Sequence, residues 1–171
     1  MIHVCSLAQM HRVVDITGAE HVVTLIRDTS RVTRPVSVRQ ENHLILSIDD
    51  IEDELEGMIA PGEAHVVELL DFVGRWKREK PIVVHCFAGI SRSTAAAFIT
   101  ACALRPERSE AEIARAIRSA SITAQPNPRI VQFGDRLLNR NGRMVEAVRA
   151  IGKGEFGSTW IEEAEPFVIS I

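Results

Sequence analysis

Apolar positions along this chain fall into two alternating periods. Val22-Val23-Thr24-Leu25-Ile26 is a short apolar run of the kind that makes a buried strand, and Ile2–Cys5 is a shorter one. The stretch from His11 to Thr17 between them reads as a short helix stopped near Gly18. Leu44, Leu46 and Ile48 alternate with Ile45 and Ser47, which predicts a strand ending at Asp49-Asp50. After Pro61-Gly62 the period changes. Val66, Leu69, Leu70, Val73 and Trp76 recur every three or four residues, so they line one stripe of a helix that stops before Pro81. Ile82–His85 is a strand again.

The second half is helical. Ser93–Leu104 is apolar almost all round, which predicts a helix buried on every side. Ser109 and Glu112 form a capping-box pattern for a helix over 110–120, with Ile113 and Ile117 on its inner face. Gln125-Pro126-Asn127-Pro128 is a turn that starts another helix, carrying Ile130, Val131, Phe133, Leu137 and Leu138 and ending at Asn141-Gly142. Met144, Val145, Val148 and Ile151 predict one more. Strands early and helices late predict an α/β fold with a central, mainly parallel sheet flanked by helices. Residues 1–152 then form a single domain, and 153–171 a tail that is Gly- and Glu-rich before its apolar end, Phe167–Ile171.

The link between the two halves carries the chemistry. Residues 85–93 read His85-Cys86-Phe87-Ala88-Gly89-Ile90-Ser91-Arg92-Ser93, directly after Ile82-Val83-Val84. A strand feeding a tight loop and then a helix N-terminus aims backbone N–H groups at a bound oxyanion. The cysteine begins the loop beneath the anion and the arginine closes it. In a parallel α/β sheet this loop sits at the C-terminal end of a central strand, where ligands bind.

This stretch resembles the signature of the cysteine-dependent protein tyrosine phosphatases, His-Cys followed by five residues and Arg-Ser/Thr, and His85, Cys86, Gly89, Arg92 and Ser93 all match it. The match extends over roughly residues 44–140. Pro126-Asn127, Phe133 and Leu137-Leu138 are similar to the Pro-Asn step and last helix of the small, bacterial-type dual-specificity members. The resemblance implies phosphomonoester hydrolysis through a phosphocysteine on Cys86, with no metal or other cofactor. Phe87, Ala88, Gly89, Ile90, Ser91 and Arg92 would surround the phosphate, and His85 would orient the cysteine backbone. Cys86 alone would read as an inert core thiol; with Arg92 in register, the helix N-terminus and the arginine both favour a thiolate. A planar guanidinium can hold two phosphate oxygens at once, whereas a cation with no anion to bind is poorly placed at a helix start. Ser93 suits both a helix cap and a donor to the departing sulfur.

A general acid must protonate the leaving oxygen. The family draws it from a loop aspartate upstream, and here Asp50 stands 36 residues before Cys86, after the alternating strand. Asp49 and Asp53 are the alternatives, and the Trp-Pro-Asp tripeptide of the larger tyrosine-specific enzymes is absent. Asn127 suits both a helix cap and, by resemblance, a hydrogen bond to the phosphate loop. Cys102 lies 16 residues beyond Cys86, about 24 Å along a helix, out of reach of a disulfide. Trp76, Trp160, His3, His11, His21, His43 and His65 read as packing or surface residues.

Composition narrows the partners. The net charge of −3 gives no basic excess for nucleic acid, and no apolar run approaches the ~20 residues of a membrane span. The first residues lack the pattern of a signal peptide, and three cysteines without metal spacing suggest a reducing cytoplasm. Residues 41–74 hold ten acids and no Lys or Arg, whereas 105–149 hold nine Arg against five acids. These are two solvated faces, or an acidic flank that repels polyanionic substrates. The phosphoinositide-directed members tend to carry lysines in the loop, and none is present here. The expected ligands are a phosphorylated protein or small phosphomonoester, and phosphate, sulfate or vanadate in the loop. Two other readings stay open: a phosphate-binding module without turnover, and an enzyme for non-protein phosphate esters. Arsenate-type relatives carry their cysteine loop near the N-terminus, unlike the mid-chain Cys86. Oligomeric state is not legible.

Overall fold

The computed structural model describes residues 1–155 and 163–171. In chain order it runs β1 (Ile2–Ser6), α1 (Met10–Thr17), β2 (His21–Leu25), β3 (His43–Leu46), α2 (Glu63–Arg75), β4 (Ile82–Cys86), α3 (Arg92–Leu104), α4 (Glu110–Ala120), α5 (Pro128–Leu137), α6 (Arg143–Ile151) and β5 (Phe167–Ile169). The strands form one sheet in the order β3-β2-β4-β1-β5. The first four are mutually parallel, and β5 runs antiparallel to β1 at the edge. The α/β expectation holds, and the apolar end of the tail completes the sheet. Among the described residues no helix is long and apolar enough to cross a membrane.

The sheet separates two apolar layers. Met10, Val13 and Val14 of α1 pack with Cys5, Val22 and Val83 on one side. On the other, Val4, Val23, Val84 and Cys86 face the layer that includes α2, α3 and α4. The first eleven residues of α3, Arg92–Cys102, are all buried. This is why its sequence shows no polar face, and it fixes the helix that carries the arginine. Gly134 permits the close approach of α5, since a Cβ there would lie 2.5 Å from Cγ1 of Ile99.

Two element ends differ from the sequence expectation. The third strand stops at Leu46 rather than Ile48, because its partner β2 ends at Leu25 and the last bond runs from the Ile26 N–H to the Leu46 carbonyl. Residues 47–50 are thereby released from the sheet to approach the phosphate loop. The helix after Pro128 ends at Leu137 rather than at Asn141-Gly142. Asn139 and Asn141 both take positive φ, 53° and 52°, a conformation that asparagine tolerates and a helix does not. Asp135, buried at the end of α5, accepts from the N–H groups of Gly142 and Met144 and so starts α6.

Candidate active site

Cys86 is the last residue of β4 and Arg92 the first of α3, so the loop Phe87–Ser91 spans from a central strand to a buried helix. Its shape is set from outside. The carbonyls of Phe87, Ala88, Ile90 and Ser91 accept from the N–H groups of Leu7 (3.1 Å), Ala164 (2.8 Å), Gln125 (2.9 Å) and Asn127 (3.3 Å). Four carbonyls are thus committed to the surrounding frame. Among the described residues, the N–H groups of Phe87, Ala88, Ile90 and Ser91 donate to no protein acceptor. That arrangement leaves backbone donors for an oxyanion. Ala164 belongs to the tail, so the tail braces the loop as well as the sheet edge.

Gly89 makes the turn, with φ at +76°. A Cβ there would lie 2.8 Å from the Cys5 carbonyl carbon and 2.9 Å from the Ser6 nitrogen. Its N–H donates to Cys86 Sγ at 3.3 Å. Gly89→Ala therefore combines a left-handed alanine with a clash against β1. The expected result is a loss of at least about 2 kcal/mol of stability together with loss of phosphate binding. Thermal unfolding and a vanadate titration check both, and a variant that binds vanadate like its parent would refute the tight-turn argument.

Cys86 is buried, and its Sγ lies 3.2 Å from Ser93 Oγ, which can donate to it. Cys5 and Cys102 are buried as well, and burial pushes both thiols up to about 12. Arg92 is 8 % exposed. Its Nη1 donates to the Ile48 carbonyl at 2.9 Å. Its Nε is buried without a hydrogen-bond partner and lies 3.6 Å from Asp50 Oδ2, an ion-pair distance too long for a hydrogen bond. The carbonyl of the released strand end thus aims the guanidinium, and one edge of the fork stays free.

The acidic loop is sorted by its partners. Asp50 Oδ1 accepts from Ser91 Oγ at 2.7 Å and from Asn127 Nδ2 at 3.0 Å. Asp49 instead accepts from the Ile59 N–H at 2.7 Å and pairs with Arg27 Nε at 3.4 Å, closing the loop on itself. Asp50 lines the cleft of about 360 Å³ above Cys86, together with Glu52, Phe87, Ser91, Arg92 and Asn127, whereas Asp49 and Asp53 do not. Asn127 does both things its sequence context allowed. Its Oδ1 caps α5 by accepting from the Ile130 N–H at 3.1 Å, and its amide reaches Asp50. Arg129 adds a second strap, donating to the carbonyls of Pro61 and Glu52 at 2.6 and 3.0 Å. No sequence signal marked Arg129. Phe87 stands half-exposed at the rim under Arg31, whose guanidinium carbon is 5.1 Å from the ring centroid.

His43, expected as a packing or surface residue, is half-buried and joins a hydrogen-bonded chain. His85 Nε2 is 2.6 Å from Thr24 Oγ1, which is 2.8 Å from His43 Nε2. His85 Nδ1 faces the Cys86 carbonyl at 3.4 Å. Burial lowers both histidines to about 4, so both rings are neutral. A carbonyl only accepts, so His85 carries its proton on Nδ1. Thr24 then donates to His85 Nε2 and accepts from His43 Nε2. Nothing in the sequence joined residues 24, 43 and 85; the strand register did. Of the other predicted packing residues, His65 Nδ1 accepts from the Gly62 N–H at 3.0 Å and Trp76 is buried. Trp160 lies outside the described residues.

These histidines carry a pH prediction. Their folded values of about 4 lie below the ordinary 6.5, so as pH falls the unfolded chain takes up protons first. Stability should fall between pH ~6.5 and ~4 and level off below, by up to roughly 3 kcal/mol from His85 and less from the more exposed His43. Urea midpoints at pH 7 and 4.5 measure it; equal midpoints would contradict the neutral, buried chain.

Residues 56–125 match the family model for protein-tyrosine phosphatase. No curated protein matches the chain. Among solved structures, human DUSP28 is similar at 19% sequence identity and a TM-score of 0.61, over 87% of this chain and 94% of that one. PTPMT1 in complex with PI(5)P is similar at 17% and 0.62, over 88% and 94%. The human tyrosine phosphatase-like serine/threonine/tyrosine-interacting protein is similar at 16% and 0.61, over 82% and 92%. At these identities the likeness is one of fold.

Proposed function

We propose that this chain, whose residues 56–125 match the protein-tyrosine phosphatase family model and whose fold is similar to solved phosphatase structures, hydrolyses phosphomonoesters in two covalent steps. The observation that carries the reading is the convergence of Cys86, Arg92, Asp50 and the loop backbone on one cleft. In the first step Cys86 Sγ attacks phosphorus, the bond to the ester oxygen breaks, and Asp50 gives that oxygen its proton. The free edge of Arg92 and the unpaired loop N–H groups hold the equatorial oxygens as charge gathers there. In the second step water attacks the phosphocysteine, Asp50 takes its proton, and sulfur leaves as a thiolate that accepts from Ser93 Oγ and the Gly89 N–H. His85 serves as a positioning residue through the Cys86 carbonyl.

The cleft favours a singly phosphorylated ester. Among the described residues Arg92 is its one lining cation, against Asp50 and Glu52. A phosphoinositide such as the PI(5)P held by PTPMT1 carries more charge than such a rim attracts. A phosphoprotein side chain or a small monoester fits it better. Three free thiols suit a reducing compartment such as the cytoplasm.

The experiment is hydrolysis of para-nitrophenyl phosphate between pH 4.5 and 8 with EDTA present. The expected rate is unaffected by the chelator and blocked by vanadate. Activity lost to EDTA and restored by a metal would overturn the mechanism. Absent turnover with phosphate still bound would make the chain a phosphate-binding module.

A further inference from the structure

The opposite end of the sheet holds a second concentration of charge that the proposed reaction does not use. The parallel strands place Cys86 at the C-terminal end of β4. Glu20 and His21 at the start of β2, Asn42 before β3 and Lys80 before β4 lie at the other end. A five-residue strand separates the two ends by roughly 16 Å. There, Arg39, Arg75, Lys77, Arg78 and Lys80 line a cleft of about 240 Å³ with Glu20, His21, Asn42, Trp76 and Glu79. Five cations against two carboxylates make a positive island on a chain whose net charge is −3. Two of the chain's three lysines are here.

The local structure gathers these cations. Trp76 is buried at the end of α2, and its indole N–H donates to the Lys80 carbonyl at 2.9 Å, closing residues 76–80 into a turn. Arg78 takes a left-handed φ of 62° within it. The C-terminal end of α2 accounts for one basic residue, Arg75, through its dipole; it does not account for the other four. Arg39 is paired with Glu41 at 3.3 Å. Arg75, Lys77, Arg78 and Lys80 have no carboxylate within ion-pair distance among the described residues. The cleft also contains an uncommitted buried group: His21 Nδ1 is buried and has no hydrogen-bond partner among the described residues. Its ring is held edge-on to Phe72, with the centroids 6.0 Å apart.

We infer that this cleft binds the phosphate group of a second ligand, separate from the ester in the Cys86 cleft. Guanidinium forks match phosphate oxygens geometrically, and the lysines add point charge. The volume admits a phosphate with a small part of the molecule carrying it.

The probe is inorganic pyrophosphate, titrated into isotopically labelled protein at constant ionic strength and followed by NMR. Saturable shifts are expected at the Trp76 indole, His21, Asn42 and residues 77–80, with an affinity separate from that read at Ile90 and Ser91. The double variant Arg75→Ala/Lys77→Ala removes two exposed side chains and is expected to weaken the distal affinity about tenfold or more, leaving the Ile90 and Ser91 response in place. Shifts that never saturate, that sodium chloride reproduces, or that the double variant leaves unchanged would overturn the inference. Cosedimentation with phosphatidic acid vesicles separates the sources: capture lost in the double variant assigns a lipid headgroup, and saturation by pyrophosphate without capture assigns a soluble phosphate.

Discussion

Cys86→Ser is expected to lower turnover of an aryl phosphate by at least about 10⁴-fold while phosphate and vanadate still bind. A serine hydroxyl is not ionised near neutral pH and has no strong base beside it, since His85 Nε2 is occupied by Thr24 and its Nδ1 faces a carbonyl. The loop carbonyls would stay pinned by Leu7, Ala164, Gln125 and Asn127, and Arg92 by Ile48, so the oxyanion site survives the change. Binding and turnover should therefore separate in this variant. Cys102→Ala is the control: that thiol is buried and pushed up to about 12, and its loss should affect stability rather than rate. A serine variant with near-parental turnover would remove Cys86 as nucleophile and with it the covalent mechanism.

Asp50→Ala is expected to lower turnover by roughly 10²–10⁴-fold. The loss should be larger for alkyl phosphates, whose leaving oxygen needs a proton, than for activated aryl phosphates, whose anion leaves unaided. The same change removes a carboxylate 3.6 Å from Arg92 Nε, so phosphate should bind more tightly as turnover falls. This opposite movement of rate and affinity distinguishes loss of an acid from general damage to the cleft. Asp49→Ala, by contrast, releases Arg27 and the Ile59 N–H and should lower stability while leaving the substrate's proton donor in place. An unchanged rate on alkyl phosphates in Asp50→Ala would transfer the role to another residue.

Much of this arrangement is legible along the chain because it rests on neighbours in sequence. The apolar run Ile82–Val84, the loop to Arg92 and the all-round apolar helix behind it follow from local pattern. So does the capping of α5, where Asn127 stands between two prolines. Positions that depend on where a partner ends are not legible in this way. The third strand reads as continuing to Ile48, and only the end of β2 at Leu25 shows why it stops at Leu46. The helix after Pro128 reads through to Asn141, because asparagine gives no local sign that it will turn left-handed.

Sequence by itself determined which residue types are available for phosphate chemistry and the order in which they meet, since strand, loop and helix propensities act over a few residues. The tertiary structure decided which of two adjacent aspartates enters the cleft: Asp50 is met by Ser91 and Asn127, 41 and 77 residues away, and Asp49 by Arg27 and Ile59. It also joined His43, Thr24 and His85, which come from three strands in register, and gathered the cations of the distal cleft at the shared ends of those strands. Hydrogen bonds and ion pairs act over about 3–4 Å, so partners far apart in the chain meet only once the sheet has fixed their distance.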